Sequence, residues 1–121
     1  MASSALETCV FCSIVSGKIA TPFVYEDDAV VAFADIRPIA PTHILVVPRE
    51  HHETLAELVK TGTAGDLLGR LMKVAGELGA ARAPKDGGYR VVVNNGAAAG
   101  QTVYHVHVHV LSGRHFAWPP G

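Results

Sequence analysis

The chain reads as an α+β domain: one antiparallel sheet of about five strands, with helices packed on one side. Three stretches predict this. Residues 104–110 alternate three histidines with three valines, the period of a strand. Residues 43–48 form a near-continuous apolar run, as in a strand buried on both faces in the middle of a sheet. Residues 63–82 place Leu67, Leu68, Leu71, Met72, Val74, Ala75 and Leu78 on one helical stripe, with Asp66 near the start.

The remaining elements follow in order. Residues 1–8 read as a short mobile leader. Phe11, Ile14 and Val15 have helical spacing, and Gly17 stops that brief helix. Residues 23–26 and 29–33, joined by Asp27 and Asp28, predict a hairpin with an acidic turn. Pro38 and Pro41 stiffen the loop after it, since each locks φ and removes a donor. A short helix is expected over 54–59; Gly69, Gly76 and Gly79 weaken the long one locally. Pro84, Gly87 and Gly88 mark a turn, 89–94 a fourth strand, 95–102 a Gly/Ala-rich loop, and 103–111 the histidine strand. Residues 112–121 form a tail whose Trp118, Pro119, Pro120 and Gly121 fit neither a helix nor a central strand.

Composition narrows the function. The 121 residues make a single domain, residues 1–121, and the 49% apolar content excludes disorder across the whole chain. A net charge of −1 offers no electrostatic case for polymeric nucleic acid as a partner. No apolar run approaches the roughly 20 residues of a membrane span, and no secretory signal is visible. A cytoplasmic location is therefore expected, with the nucleus also open in a eukaryote. Cys9 and Cys12, with two residues between them, suggest metal or redox chemistry before a disulfide. As a zinc half-site they require two further ligands; as a bland alternative they are packed thiols.

In a strand the valines of 104–110 face a core, while His105, His107 and His109 stand on the other face, about 7 Å apart. Such a row can supply a nucleophile, a phosphate donor and a metal ligand. The loop before it, with Gly96, Gly100, Gln101 and Thr102, lets backbone N–H groups approach an anion and adds side-chain donors. Together they read as a phosphoryl-transfer site, in which a neutral histidine attacks phosphorus and neighbouring donors stabilise the equatorial oxygens.

Asn94, Gly96, Gly100, Gln101, Val103 and the row His105, His107, His109 resemble the signature of the histidine-triad (HIT) family. Residues 25–28, 33–36, 40–48, 88–94 and 118–121 narrow the resemblance to the Hint branch of purine nucleoside phosphoramidases. It spans about 9–121 and is weakest over 60–86, where only amphipathic character matches. The resemblance implies a HIT-like fold and hydrolysis of P–N bonds between AMP or GMP and an amine, through a nucleotidyl intermediate on His107. By the same resemblance, His109 and His43 support the phosphate and a hydrogen-bond relay. Asn94, Gln101 and Thr102 hold phosphate oxygens beside Gly100 and Val103; Thr102 replaces a serine but keeps the hydroxyl. Asp35 accepts from the ribose, and Phe11, Ile14, Ile19, Phe33 and Ile36 form the purine slot. Asp35 also reads as a turn residue, and Phe33 and Ile36 as ordinary core.

Zinc-containing relatives imply a structural ion on Cys9, Cys12, His51 and His105, with His52 open as a substitute for His51. Hint relatives also pair as homodimers through the long helix and the fourth strand, extending the sheet across a two-fold axis. The apolar stretch 89–94 suits that pairing, and Trp118 would then shape the partner's pocket. Two rivals stay open: a dinucleoside polyphosphate hydrolase or transferase of the same family, and a regulatory module that binds purine nucleotides without turnover.

Overall fold

A computed structural model describes residues 8–85 and 87–121. The expected leader, apart from Thr8, lies outside the described residues. Helix α1 is Val10–Val15; strands β1 and β2 are Tyr25–Glu26 and Val30–Ala34; β3 is Thr42–Pro48. Helices α2, Leu55–Leu58, and α3, Ala64–Arg82, lead to β4, Tyr89–Val92, and β5, Val108–Ser112. The five strands form one antiparallel sheet in the order β1-β2-β3-β5-β4, so β3 is central as its apolar run requires.

Local chemistry sets the element ends. The Cys9 sulfur accepts the Cys12 N–H at 3.3 Å and caps α1, which ends before Gly17 at φ 85°. In the hairpin turn, one Asp27 carboxylate oxygen accepts from Ala29 N and Val30 N, each at 2.8 Å. The Tyr25 hydroxyl and the Arg70 guanidinium donate to the other oxygen at 2.6 and 2.9 Å, tying the turn to α3. Thr54 caps α2 through the Glu57 N–H, and the Asn95 side chain accepts from Ala56 N at 2.7 Å.

Alternation then assigns side chains to two cores. Val30, Ala32, Ile44, Val46, Val106, Val108 and Val110 face α2 and α3, against Leu58, Leu71, Val74, Ala75 and Leu78. Val31, Phe33, Leu45 and Val47 point the other way, against Cys9, Phe11 and Ile14. The expectation of helices on one side therefore holds for α2 and α3 but not for α1. Strands apolar on both faces need a second cover, and α1 supplies it.

The histidine stretch departs from expectation too. A strand over 103–111 was expected, but the ladder covers only Val108–Ser112. Val108 pairs with Val46, and two residues beyond that register β3 ends at Pro48, which has no N–H to donate. Val106 N instead donates to His52 O at 2.7 Å. The histidine face is also closed rather than solvated: His105 is fully buried and His107 is 7% exposed.

Candidate active site and metal centre

Cys9 and Cys12, at the head of α1, meet His51 after β3 and His105 before β5. His105 Nδ1 lies 3.4 Å from Cys9 Sγ, 3.5 Å from Cys12 Sγ and 3.2 Å from His51 Nδ1. Cys12 Sγ lies 3.2 Å from His51 Nδ1. Metal–ligand bonds of about 2.0–2.3 Å make tetrahedral edges of roughly 3.3–3.8 Å, so these separations fit one four-coordinate ion. Two sulfurs and two imidazoles also suit zinc chemically. His105 Nε2–H donates to Pro48 O at 2.7 Å, which turns the bare Nδ1 toward the sulfurs. His52 pairs with Glu50 at 2.7 Å and stays out of the cluster, so His51 is the fourth donor. Both thiols are free. Burial pushes the Cys12 thiol up to about 11 and His105 down to about 4, a balance that a bound cation would invert.

Two residues along, the main chain of His105 acts on the next imidazole. His107 Nδ1–H donates to His105 O at 2.8 Å, leaving the Nε2 lone pair free. The Phe11 ring stands edge-on at 5.1 Å and fixes the plane of His107. Burial lowers the His107 pKa, which favours the neutral, nucleophilic form.

The third group is a relay. Ile39 N–H donates to His43 Nδ1 at 3.2 Å, so the His43 proton sits on Nε2. That proton is shared with His109 Nδ1 at 3.0 Å, with an Asp35 carboxylate oxygen 3.4 Å away. His109 must then carry its own proton on Nε2, and that atom is buried without a partner among the described residues. Its ring centroid is 4.9 Å from that of His107. Asp35, His43 and His109 are close enough to suggest a second metal cage. The Ile39 N–H argues otherwise, because it commits His43 Nε2 to carrying a proton rather than an ion.

The loop before the triad turns through a short 3₁₀ segment, Ala97–Ala99, with Gly96 and Gly100 at φ 93° and 101°. Its anion cradle is smaller than the composition suggested. The N–H groups of Ala99, Gly100 and Gln101 bond inward to Gly96 O and Ala97 O. Gln101 is a correction: it does not offer donors to a phosphate. Its Nε2 donates to Glu53 O at 2.8 Å and Val103 O at 3.0 Å, and its Oε1 accepts from Gly96 N at 2.8 Å. The residue braces the loop instead, with Asn94 beside Gly100 and the exposed Thr102 left facing outward.

The expected purine slot is only partly assembled. Phe11, Ile14 and Phe33 are packed together in the second core, whereas Ile19 is 44% exposed and Ile36 92% exposed. One Asp35 oxygen accepts from Arg37 N at 2.7 Å, a turn-capping role. Trp118 is 81% exposed, and Arg90 donates to the neighbouring Ala117 O. Sequence reasoning missed the backbone groups of Ile39, Pro48 and His105, which any residue could supply.

Comparison with known proteins agrees with this geometry. A profile of the HIT domain matches residues 16–116. A protein of Brassica juncea named a 14 kDa zinc-binding protein is 44% identical over 93% of this chain and 98% of its own. The crystal structure of a HIT family hydrolase from Legionella pneumophila superposes with a TM-score of 0.87 at 41% identity, covering 94% of this chain and 100% of that one. A zinc-bound histidine triad family protein from Mycobacterium smegmatis has a TM-score of 0.77 at 31% identity, covering 95% and 81%. With the profile spanning most of its length and the triad in place, the chain belongs to the HIT family.

Proposed function

We propose that the protein is a hydrolase of the Hint type, cleaving the P–N bond of purine nucleoside phosphoramidates in two displacements. In the first, His107 Nε2 attacks phosphorus of an AMP or GMP amidate; the P–N bond breaks and the amine leaves with a proton taken up from solvent. In the second, water attacks, the Nε2–P bond breaks, the water's proton returns to solvent, and the nucleoside monophosphate and free His107 are released. The observation that carries this reading is the proton order: a bare Nε2 on His107 beside an unpartnered Nε2–H on His109.

His109 donates to a phosphate oxygen, and His43 holds it in that tautomer. Asn94 and Thr102 face further phosphate oxygens along Gly100 and Val103. The Asp35 oxygen not used by Arg37 accepts from the ribose. The base lies over Phe11, Ile14 and Phe33, with Ile19 and Ile36 closing from the exposed side. Cys9, Cys12, His51 and His105 hold a zinc ion that ties the N-terminal turn to the sheet and takes no part in the displacements.

Steady-state hydrolysis of an adenosine phosphoramidate, set against a diadenosine polyphosphate, tests the reaction. The amidate should be the better substrate, and His107→Asn should lose about 10³-fold or more in kcat while still binding AMP. Preference for the polyphosphate, or a nucleotidyl adduct trapped on another histidine, would overturn it. We further propose a homodimer joined through α3 and the edge strand β4, with Trp118 reaching the partner's site. Sedimentation at micromolar concentration should give twice the 12.8 kDa chain mass, and a monomer would refute it.

A further inference from the structure

The proton order of the site leans on a main-chain donor, Ile39 N–H, in a loop anchored at its start by Arg37 N–H on Asp35 and at its end by the buried Ala40. Residues 36–41 include Pro38 and Pro41, neither of which can donate a backbone hydrogen bond. Ile39 itself is 60% exposed. The residues just beyond β5 hold this loop from the other side. Arg114 Nε–H donates to Ile39 O at 2.9 Å. Gly113, at φ 98°, packs so closely on the Pro41 ring that a Cβ would stand 2.7 Å from it. Arg114 is itself braced: a second guanidinium donor reaches His115 O at 3.0 Å, and the group lies 4.3 Å from the centroid of the Phe116 ring.

We infer that Arg114 is a positioning residue for the relay: it clamps the Ile39 loop so that Ile39 N–H fixes the tautomer of His43, and through it that of His109. The two tautomers are chained. If His43 carried its proton on Nδ1, its bare Nε2 would face His109 Nδ1, and His109 would have to move its own proton to Nδ1. The buried His109 Nε2 would then be an acceptor, and a phosphate oxygen would meet a lone pair rather than a donor. Asp35, 3.4 Å from His43 Nε2, favours the same tautomer, and His107 is the other titratable group against His109. The consequence for turnover rests on the proposed reading of His109 as phosphate donor; the tautomer itself does not.

Imidazole ¹⁵N spectroscopy of the zinc-loaded protein is the test. In the parent protein His43 and His109 should both show the Nε2–H form. Arg114→Met should shift both toward the Nδ1–H form, whereas Arg90→Met should not. Arg90 also flanks Phe116, at 5.3 Å, and binds Ala117 O, but it does not touch Ile39. Arg114→Leu also removes every side-chain donor, so it should behave like Arg114→Met and gives the same readout should the latter fail to fold. On an AMP amidate, kcat should fall about tenfold in either Arg114 variant with KM nearly unchanged. Unaltered tautomers in both Arg114 variants, or an equal change in Arg90→Met, would overturn the inference. A parent protein with no turnover would sink the proposed function alone, because the spectra would still decide the clamp.

Discussion

Three histidines of the site take their proton position from a main-chain atom: His105 from Pro48 O, His107 from His105 O, and His43 from Ile39 N–H with Asp35 beside its Nε2. Burial holds these rings neutral, pushing His109 down to about 4 and His43 also below its ordinary value of 6.5. The unfolded chain binds protons near pH 6.5 that the folded chain refuses until lower pH. The histidines' contribution to stability should therefore be flat above about pH 6.5 and fall as pH drops toward 4. Urea midpoints across that window should show a shallower acid slope in His109→Asn than in the parent; equal slopes would mean that His109 is not held neutral. The histidines were legible because their type and spacing carry the chemistry. Their partners were not, since a carbonyl or an N–H leaves no mark in a sequence.

At the scale of elements, α3 and β4 meet at one glycine. Gly79 lies against the Tyr89 ring so closely that an added methyl would collide with it, whereas Gly69 faces open space. The two Gly→Ala changes should differ in sign. Gly79→Ala should cost about 1–3 kcal/mol through displacement of Tyr89. Gly69→Ala should stabilise by up to about 1 kcal/mol through helix propensity alone. Denaturant unfolding of both variants checks this, and stabilisation by Gly79→Ala would mean that Tyr89 does not need the groove. In the sequence Gly69, Gly76 and Gly79 read alike, as local weaknesses, because the ring that occupies the groove comes from another element. The strand over 103–111 was overdrawn for a related reason. Alternation of side chains survives at Val106 and His107 without a ladder, held by His52 O and His105 O instead.

For the whole molecule, the proposed zinc should act as a staple between α1 and the approach to β5. Chelation, or Cys9→Ser with Cys12→Ser, should lower Tm by about 10 °C or more. The same protein at limiting loss should retain more of its activity than of its stability. Thermal scans with and without chelator decide this; an unchanged Tm after metal removal would reduce the cluster to packing. The sheet, its central strand and the long helix were all readable from apolar periodicity. The position of α1 on the opposite face was not, because periodicity reports that a face is buried and not which element buries it.

The strand order gives the last word to β5, which enters between β3 and β4. During synthesis β3 is complete long before the residues of β5 that pair with it. A growing chain therefore carries an open edge, the apolar Thr42–Pro48. Neither the Cys/His cluster nor the relay can close until His105 and His109 arrive, so assembly of the site is necessarily a late event. A chain stalled short of β5 would be a sticky half-sheet, bound for chaperones or proteolysis rather than for partial function.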